Sequence, residues 1–165
     1  MIRHAGLVAL RLDGFWRGAL IEGPSGAGKS DLALRALDAG FRLVADDRTL
    51  VWRSGGALYG RAPDALVGLI EARGHGVLEE SWVAMAQIVL AATCVADPAA
   101  IDRMPDLKVE QVLGATLPRI LLDTREPSAP AKLRRAMQHL GAASQQAYQT
   151  ASRGGRGRVG TGDTP

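Results

Sequence analysis

Eight residues, Gly23-Pro24-Ser25-Gly26-Ala27-Gly28-Lys29-Ser30, constrain this chain more than any other stretch of it. They follow an apolar run, Gly18–Ile21, and precede Asp31–Gly40, where Leu34 and Leu37, and Ala33 and Leu37, recur at helical spacing before a glycine stop. Two glycines with four residues between them, then Lys-Ser, in a strand-to-helix setting, make a complete phosphate-binding loop. Glycines at these positions let backbone N–H groups turn inward as a nest for phosphate oxygens. The helix end behind them adds partial positive charge. Lys29 is placed to reach the β- and γ-phosphates, and the Ser30 hydroxyl is a hard oxygen ligand for Mg²⁺. Phe41–Ala45 follows as a short buried strand, so strand, loop, helix and strand form a βαβ unit and commit the chain to an α/β domain that binds a nucleoside triphosphate.

The chain has 165 residues, 47% of them apolar and 22% charged, which suits one globular domain. The longest apolar stretch, Trp82–Val95, is interrupted by Gln87 and is too short for a bilayer helix, so no membrane association is expected. Arg3, His4 and Arg11 near the start, without a long apolar region, argue against a secretory signal. A single cysteine, Cys94, excludes an internal disulfide and points to a reducing cytoplasm. Of the net charge of +3, the segment Tyr148–Pro165 carries +2 (Arg153, Arg156 and Arg158 against Asp163), leaving +1 on the rest. A balanced body with a short basic tail is not the footprint of a nucleic-acid-binding domain.

Further along, Gly6–Leu12 and Gly18–Ile21 flank Asp13-Gly14 as a hairpin, with Phe15 and Trp16 lengthening the loop. Thr49–Trp52 and Ala57–Tyr59 form a second hairpin around Ser54-Gly55-Gly56. Strands are expected at Val67–Ala72, Val109–Leu113 and Arg119–Leu122, and the β-branched content of Val83–Val95 favours a long strand while its alanines leave a helix open. A final helix runs from Ser128-Ala129-Pro130 to about Ala147. Residues 1–147 are expected to form the domain, and 148–165 a flexible tail rich in glycine and arginine.

Asp46 and Asp47 close the strand after the loop helix, where an acid serving Mg²⁺ would sit. Adjacent carboxylates at a strand end point in different directions, so one can hold the metal while the other acts as general base. The alternative is a solvated turn. Glu71, on an otherwise apolar strand, needs a partner, either Mg²⁺ or a nearby arginine. By residue type alone His4 reads as an ordinary surface histidine, and nothing in its spacing singles out Arg103.

Taken together, these stretches resemble the catalytic domain of the bacterial HPr kinase/phosphorylase family. The resemblance lies in His4-Ala5, in GPSGAGKSD at Gly23–Asp31, in FRLVADD at Phe41–Asp47, in GLIEARGHGV at Gly68–Val77 and in IDRMP at Ile101–Pro105, and it covers about residues 1–140. It implies a P-loop kinase domain with a mixed β-sheet, related to the phosphoenolpyruvate carboxykinase fold and usually hexameric. The implied activity moves the γ-phosphate of ATP, with Mg²⁺, to a serine of the small carrier protein HPr, and runs phosphorolysis of phosphoserine in reverse. Residue by residue, the resemblance makes Asp47 the acid–base group, sets Lys29 and Arg103 on the transferring phosphoryl group, gives Mg²⁺ to Ser30 and Glu71, and brings His4 into the site.

Full-length members carry an N-terminal domain before the catalytic one, so the chain resembles the short form. His75 stands where the family signature usually has leucine, and DTREPSAPAKL after Leu122 departs from the block linked to dephosphorylation, leaving kinase activity the firmer expectation. Two other readings use the same loop: a small-molecule kinase, and an ATP-sensing switch without transfer. A sensor needs Lys29 and Ser30 but no acceptor-side base, so Asp47, Glu71 and Arg103 together favour transfer.

Overall fold

The computed structural model describes residues 1–140, so the expected end of the last helix near Ala147 and the expected tail 148–165 lie outside the described residues. In chain order the strands are β1 (Ile2–Arg3), β2 (Gly6–Leu12), β3 (Phe15–Glu22), β4 (Arg42–Ala45), β5 (Thr49–Ser54), β6 (Ala57–Arg61), β7 (Leu69–Ala72), β8 (Gly76–Glu79), β9 (Ala86–Cys94), β10 (Lys108–Val112) and β11 (Ala115–Leu122). Helix α1 (Lys29–Asp38) lies between β3 and β4, and α2 (Ala129–His139) follows β11.

Nine strands form one mixed sheet, and β7 and β8 form a separate antiparallel pair. Inside the main sheet β3 pairs antiparallel with β2 and parallel with β9. Because β2 also pairs antiparallel with β4, strands β3 and β4 run the same way with β2 between them. The expected strand–loop–helix–strand unit is therefore present with one strand inserted into it. On its other edge β9 pairs antiparallel with β6 at Ala86–Ile88 and parallel with β11 at Ala91–Cys94. It follows that β3, β4, β9 and β11 all point their carboxyl ends to one edge of the sheet. That edge is where open α/β sheets place ligands.

Side chains alternate across the sheet, as the pleat requires. Val8, Leu10, Ala19, Ile21, Leu90 and Ala92 meet Leu32, Ala33 and Ala36 of α1 and Leu133 and Met137 of α2. Leu7, Ala9, Leu20 and Ala91 face the opposite way, into a second core closed by Val51, Leu58 and Leu117 as the sheet curls. Helix α1 ends in a Schellman motif: Gly40 N–H donates to Leu37 O (3.0 Å) and Phe41 N–H to Ala36 O (3.1 Å), with Gly40 at φ 91°. This stop returns the chain directly into β4.

The first hairpin is tighter than the sequence suggests. Leu12 pairs with Phe15 and Arg11 with Trp16, so these aromatics belong to β3 and the loop is Asp13-Gly14 alone. Both loop residues have positive φ (50° and 82°), the backbone that matches strand twist in a two-residue turn. Strands β1 and β8 were not expected from the sequence; both are short and pair at edges, where hydrophobic periodicity is weakest.

Leu7 is fully buried, and it occupies space left by two glycines. A Cβ at Gly18 would lie 2.9 Å from one Leu7 methyl, and a Cβ at Gly60 2.6 Å from the other. Leu7→Ala is expected to destabilise the protein by about 2–5 kcal/mol in urea unfolding. Gly60→Ala should cost about 1–3 kcal/mol through overpacking. Combined with Leu7→Ala, the glycine substitution should cost measurably less than it does alone, because it then fills part of the cavity.

Candidate active site

The loop Gly23–Ser30 leaves the carboxyl end of β3, and its three glycines all have positive φ, for different reasons. At Gly23 (φ 148°) a Cβ would lie 2.9 Å from the carbonyl oxygen of Cys94 on the neighbouring strand. At Gly28 (φ 82°), the residue that caps α1, it would lie 2.7 Å from Thr124 Oγ1. At Gly26 (φ 80°) it would meet nothing within 4 Å. Two of the glycines are thus demanded by the protein's own packing, while the third borders open space. Ala27 N–H closes the turn onto Pro24 O (3.1 Å), and Leu32 N–H starts the helix ladder on Gly28 O (2.9 Å).

Lys29 opens α1 and is 8% exposed, with its ammonium donating to the carbonyl oxygens of Gly23 (3.0 Å) and Pro24 (3.1 Å). A cation is poorly placed at the amino end of a helix, where the macrodipole is also positive. The same placement favours any anion that enters the loop. Cys94 lies close enough for the Lys29 charge to favour its thiolate, but burial dominates and pushes the thiol up to about 11, so it stays protonated.

Next to the loop, the end of β4 sends two carboxylates in different directions. Asp46 is buried and uses both oxygens: Ser30 Oγ donates to Oδ1 (2.9 Å), and the Glu71 backbone N–H donates to Oδ2 (3.0 Å). Asp47 has φ 63°, a left-handed conformation that aspartate tolerates better than most residues. Its carboxylate is 54% exposed and lies 3.2 Å from His4 Nε2. His4 is carried there by β1, which pairs with β5 and whose Arg3 bridges Glu22 (2.9 Å) and Glu110 (3.2 Å). Burial raises the pKa of Glu22, and the Arg3 charge opposes that shift.

The structure therefore gathers Lys29, Ser30, Asp46, Asp47 and His4 around one edge of the sheet. Two expected site residues stand differently. Glu71 was expected on a buried strand, but its side chain is exposed, between buried Ile70 and Ala72, on a strand that belongs to the small β7–β8 sheet. Its backbone, not its carboxylate, is what ties it to Asp46. Arg103 is exposed on the segment before β10 and makes no hydrogen bond or ion pair among the described residues. Among the described residues, no group of three or more His, Cys, Asp or Glu side chains converges as a ready metal site.

One feature at this edge escaped the sequence reading. Directly after β11, Asp123 and Thr124 are buried. The Thr124 hydroxyl donates to Ala27 O of the loop (2.8 Å). Asp123 chelates Arg125, accepting from Nε (2.9 Å), Nη2 (3.1 Å) and the backbone N–H (3.0 Å), and these bonds hold its carboxyl below the usual range. The available signal was a polar triplet breaking off an apolar run, but it points to a site only once β11 is known to run parallel to β9.

Gly26 and Gly28 share nearly the same φ, so alanine carries a similar backbone cost of about 1–2 kcal/mol at either position. Gly28→Ala adds the collision with Thr124, and Gly26→Ala does not. Urea unfolding should therefore show a clearly larger loss of stability for Gly28→Ala. Equal losses would show that the Thr124 contact carries no weight.

Residues 3–133 match the family model described as the HPr Serine kinase C-terminal domain. A curated HPr kinase/phosphorylase from Clostridium perfringens (strain SM101 / Type A) is 41% identical over 70 residues, covering 42% of this chain and 23% of that protein. A second, from Streptococcus thermophilus (strain ATCC BAA-491 / LMD-9), is 44% identical over 69 residues, covering 41% of this chain and 22% of that protein. The matches thus span less than a quarter of the length of these relatives. The solved structure of the Hpr(Ser) kinase/phosphatase from Coxiella burnetii superposes with a TM-score of 0.72 at 23% identity, covering 95% of this chain and 99% of that one, and so shares the fold. With a family model spanning nearly the whole described chain, this protein belongs to the HPr serine kinase C-terminal domain family.

Proposed function

We propose that this chain is an ATP-dependent protein serine kinase that phosphorylates a serine of an HPr-like phosphocarrier. The observation that carries the reading is the division between the adjacent acids: Asp46 is buried on Ser30 of the phosphate loop, while Asp47 is turned outward beside His4. A binding switch needs the first carboxylate; the second, exposed and held at the acceptor side, suits proton removal.

In this reading the loop N–H groups and Lys29 bind the triphosphate. Ser30 Oγ and Asp46 are hard oxygen donors side by side at 2.9 Å, which fits Mg²⁺, an ion that takes one or two protein ligands and leaves the rest to phosphates and water. Glu71 adjoins them through its backbone. When bound, the ion would neutralise charge on the phosphates. The acceptor serine oxygen forms a bond to the γ-phosphorus, the bond to the bridging oxygen breaks, and the serine proton passes to Asp47. His4 orients the Asp47 carboxylate for that transfer. Phosphorolysis reverses the geometry: an oxygen of inorganic phosphate bonds to the phosphoserine phosphorus, the bond from that phosphorus to the serine oxygen breaks, Asp47 returns the proton to that oxygen, and pyrophosphate is the product. The role assigned to Arg103, stabilising the transferring group, rests on the IDRMP block and not on a contact with the loop. The reading places the catalytic unit in residues 1–147, the protein in the cytoplasm with its carrier, and the active form in a homo-oligomer of the hexameric kind usual for the resembled family.

The direct test is incubation of the chain with Mg·ATP and HPr, followed by mass spectrometry of the carrier. A new phosphate on a serine is the expected outcome, and HPr left unmodified would end the proposal. Asp47→Asn should lower turnover about 10²- to 10⁴-fold while nucleotide affinity stays near that of the unaltered chain. A parallel fall in affinity and turnover would make Asp47 a metal ligand instead.

A further inference from the structure

We infer that Thr124 is a positioning residue of the phosphate loop: its hydroxyl sets the orientation of the Ala27–Gly28 peptide, and so aims the Gly28 N–H into the cradle. The inference rests on the reading that the loop binds a nucleoside triphosphate and adds to it a residue outside the motif. In a trans peptide the carbonyl and the N–H point in opposite directions. The Thr124 hydroxyl donates to Ala27 O at 2.8 Å, fixing that carbonyl on the protein side, and the Gly28 N–H of the same peptide plane then faces away from Thr124. A phosphate nest needs its N–H groups turned inward and its carbonyls turned out. Thr124 supplies the outward partner for one of those carbonyls.

The residue is itself held from both sides. From α1, Arg35 donates to the carbonyl oxygens of Thr124 and Glu126 (3.3 Å for the latter) while pairing with Asp31 (2.9 Å). On the other side the Asp123–Arg125 chelate and the Glu126 N–H to Asp123 O bond (3.3 Å) fold residues 123–126 into a turn. The chain thus closes a circuit: loop to α1, α1 through Arg35 to the turn, and the turn through Thr124 back to the loop. Gly28 completes the fit, since any Cβ there would come within 2.7 Å of the Thr124 hydroxyl oxygen. A hydroxyl that merely satisfied a turn would show none of this dependence on loop geometry.

The test uses the full chain and the fluorescent probe N-methylanthraniloyl-ADP with Mg²⁺. Thr124→Val keeps the shape and removes the donor, and should weaken probe binding about 3- to 10-fold, the worth of one net hydrogen bond. Thr124→Ser keeps the donor and should bind within about twofold of the unaltered chain. In the kinase assay the valine variant should show a raised KM for ATP, with kcat nearly retained at saturation. If Thr124→Val does not fold, Thr124→Ala provides the same comparison with less crowding. Unchanged affinity in a folded donor-less variant, with or without a lower melting temperature, would overturn the inference and leave the kinase reading intact. Weakened binding by Thr124→Ser equal to that of Thr124→Val would also overturn it, by assigning the effect to the methyl group. Failure of the unaltered chain to bind the probe would overturn both.

Discussion

A buried ammonium at the amino end of a helix is the constraint around which this structure is arranged. Lys29 is nearly enclosed, at the one place on α1 where a positive charge is electrostatically unwelcome, and it is held there by the carbonyl oxygens of Gly23 and Pro24. The loop must therefore bend sharply enough to bring two carbonyls onto one side chain while exposing N–H groups elsewhere. That bend requires left-handed backbone at Gly26 and Gly28, and the sheet must supply walls tight enough to hold it. Cys94 on β9 is one wall and Thr124 after β11 is the other. The parallel arrangement of β3, β9 and β11 is what brings these walls to the same edge.

The pair of aspartates follows from a single backbone conformation. Had the chain continued in extended geometry, Asp46 and Asp47 would alternate across the pleat. Instead Asp47 sits at φ 63°, and the turn is closed by Arg48 N–H on Asp46 O (2.7 Å). One carboxylate is thereby left in the protein with both oxygens satisfied, and its neighbour is set in solvent against His4. Satisfying both oxygens of Asp46 matters because a buried carboxylate lacking donors is costly. The Glu71 N–H provides one of the two bonds, which explains how a residue on the small β7–β8 sheet is coupled to the site although its own side chain faces solvent.

Much of this was legible before the fold was known, because the informative residues were local. The loop motif, the helix after it with its Gly40 stop, and the Asp46-Asp47 strand end each declare themselves within a few positions, and the structure places them at one edge. What escaped was non-local. The charge on Glu71 suggested a buried carboxylate because its neighbours are apolar, yet on a strand buried on one face, alternate side chains look outward. Phe15 and Trp16 looked like loop residues because their bulk follows a turn signal, whereas cross-strand pairing with Leu12 and Arg11 makes them strand. His4 reads as unremarkable by type, and acquires its neighbour Asp47 through the pairing of β1 with β5, some fifty residues away in sequence.

The glycines of the loop show how far a motif can be read from its own residues. Read locally, each is glycine so that phosphate can approach the backbone. In the fold, that reason is left unopposed at Gly26 alone, where nothing lies within 4 Å. Gly23 and Gly28 are excluded from carrying a side chain by Cys94 and Thr124, residues roughly seventy and one hundred positions downstream. The motif is thus a record of two pressures, one from the ligand and one from the strands that flank it. A loop transplanted without those strands would keep its sequence and lose the atoms that turn its peptides. Thr124 is the clearer of the two cases, since the contact that forbids a Cβ at Gly28 is made by the same oxygen that grips the carbonyl of Ala27.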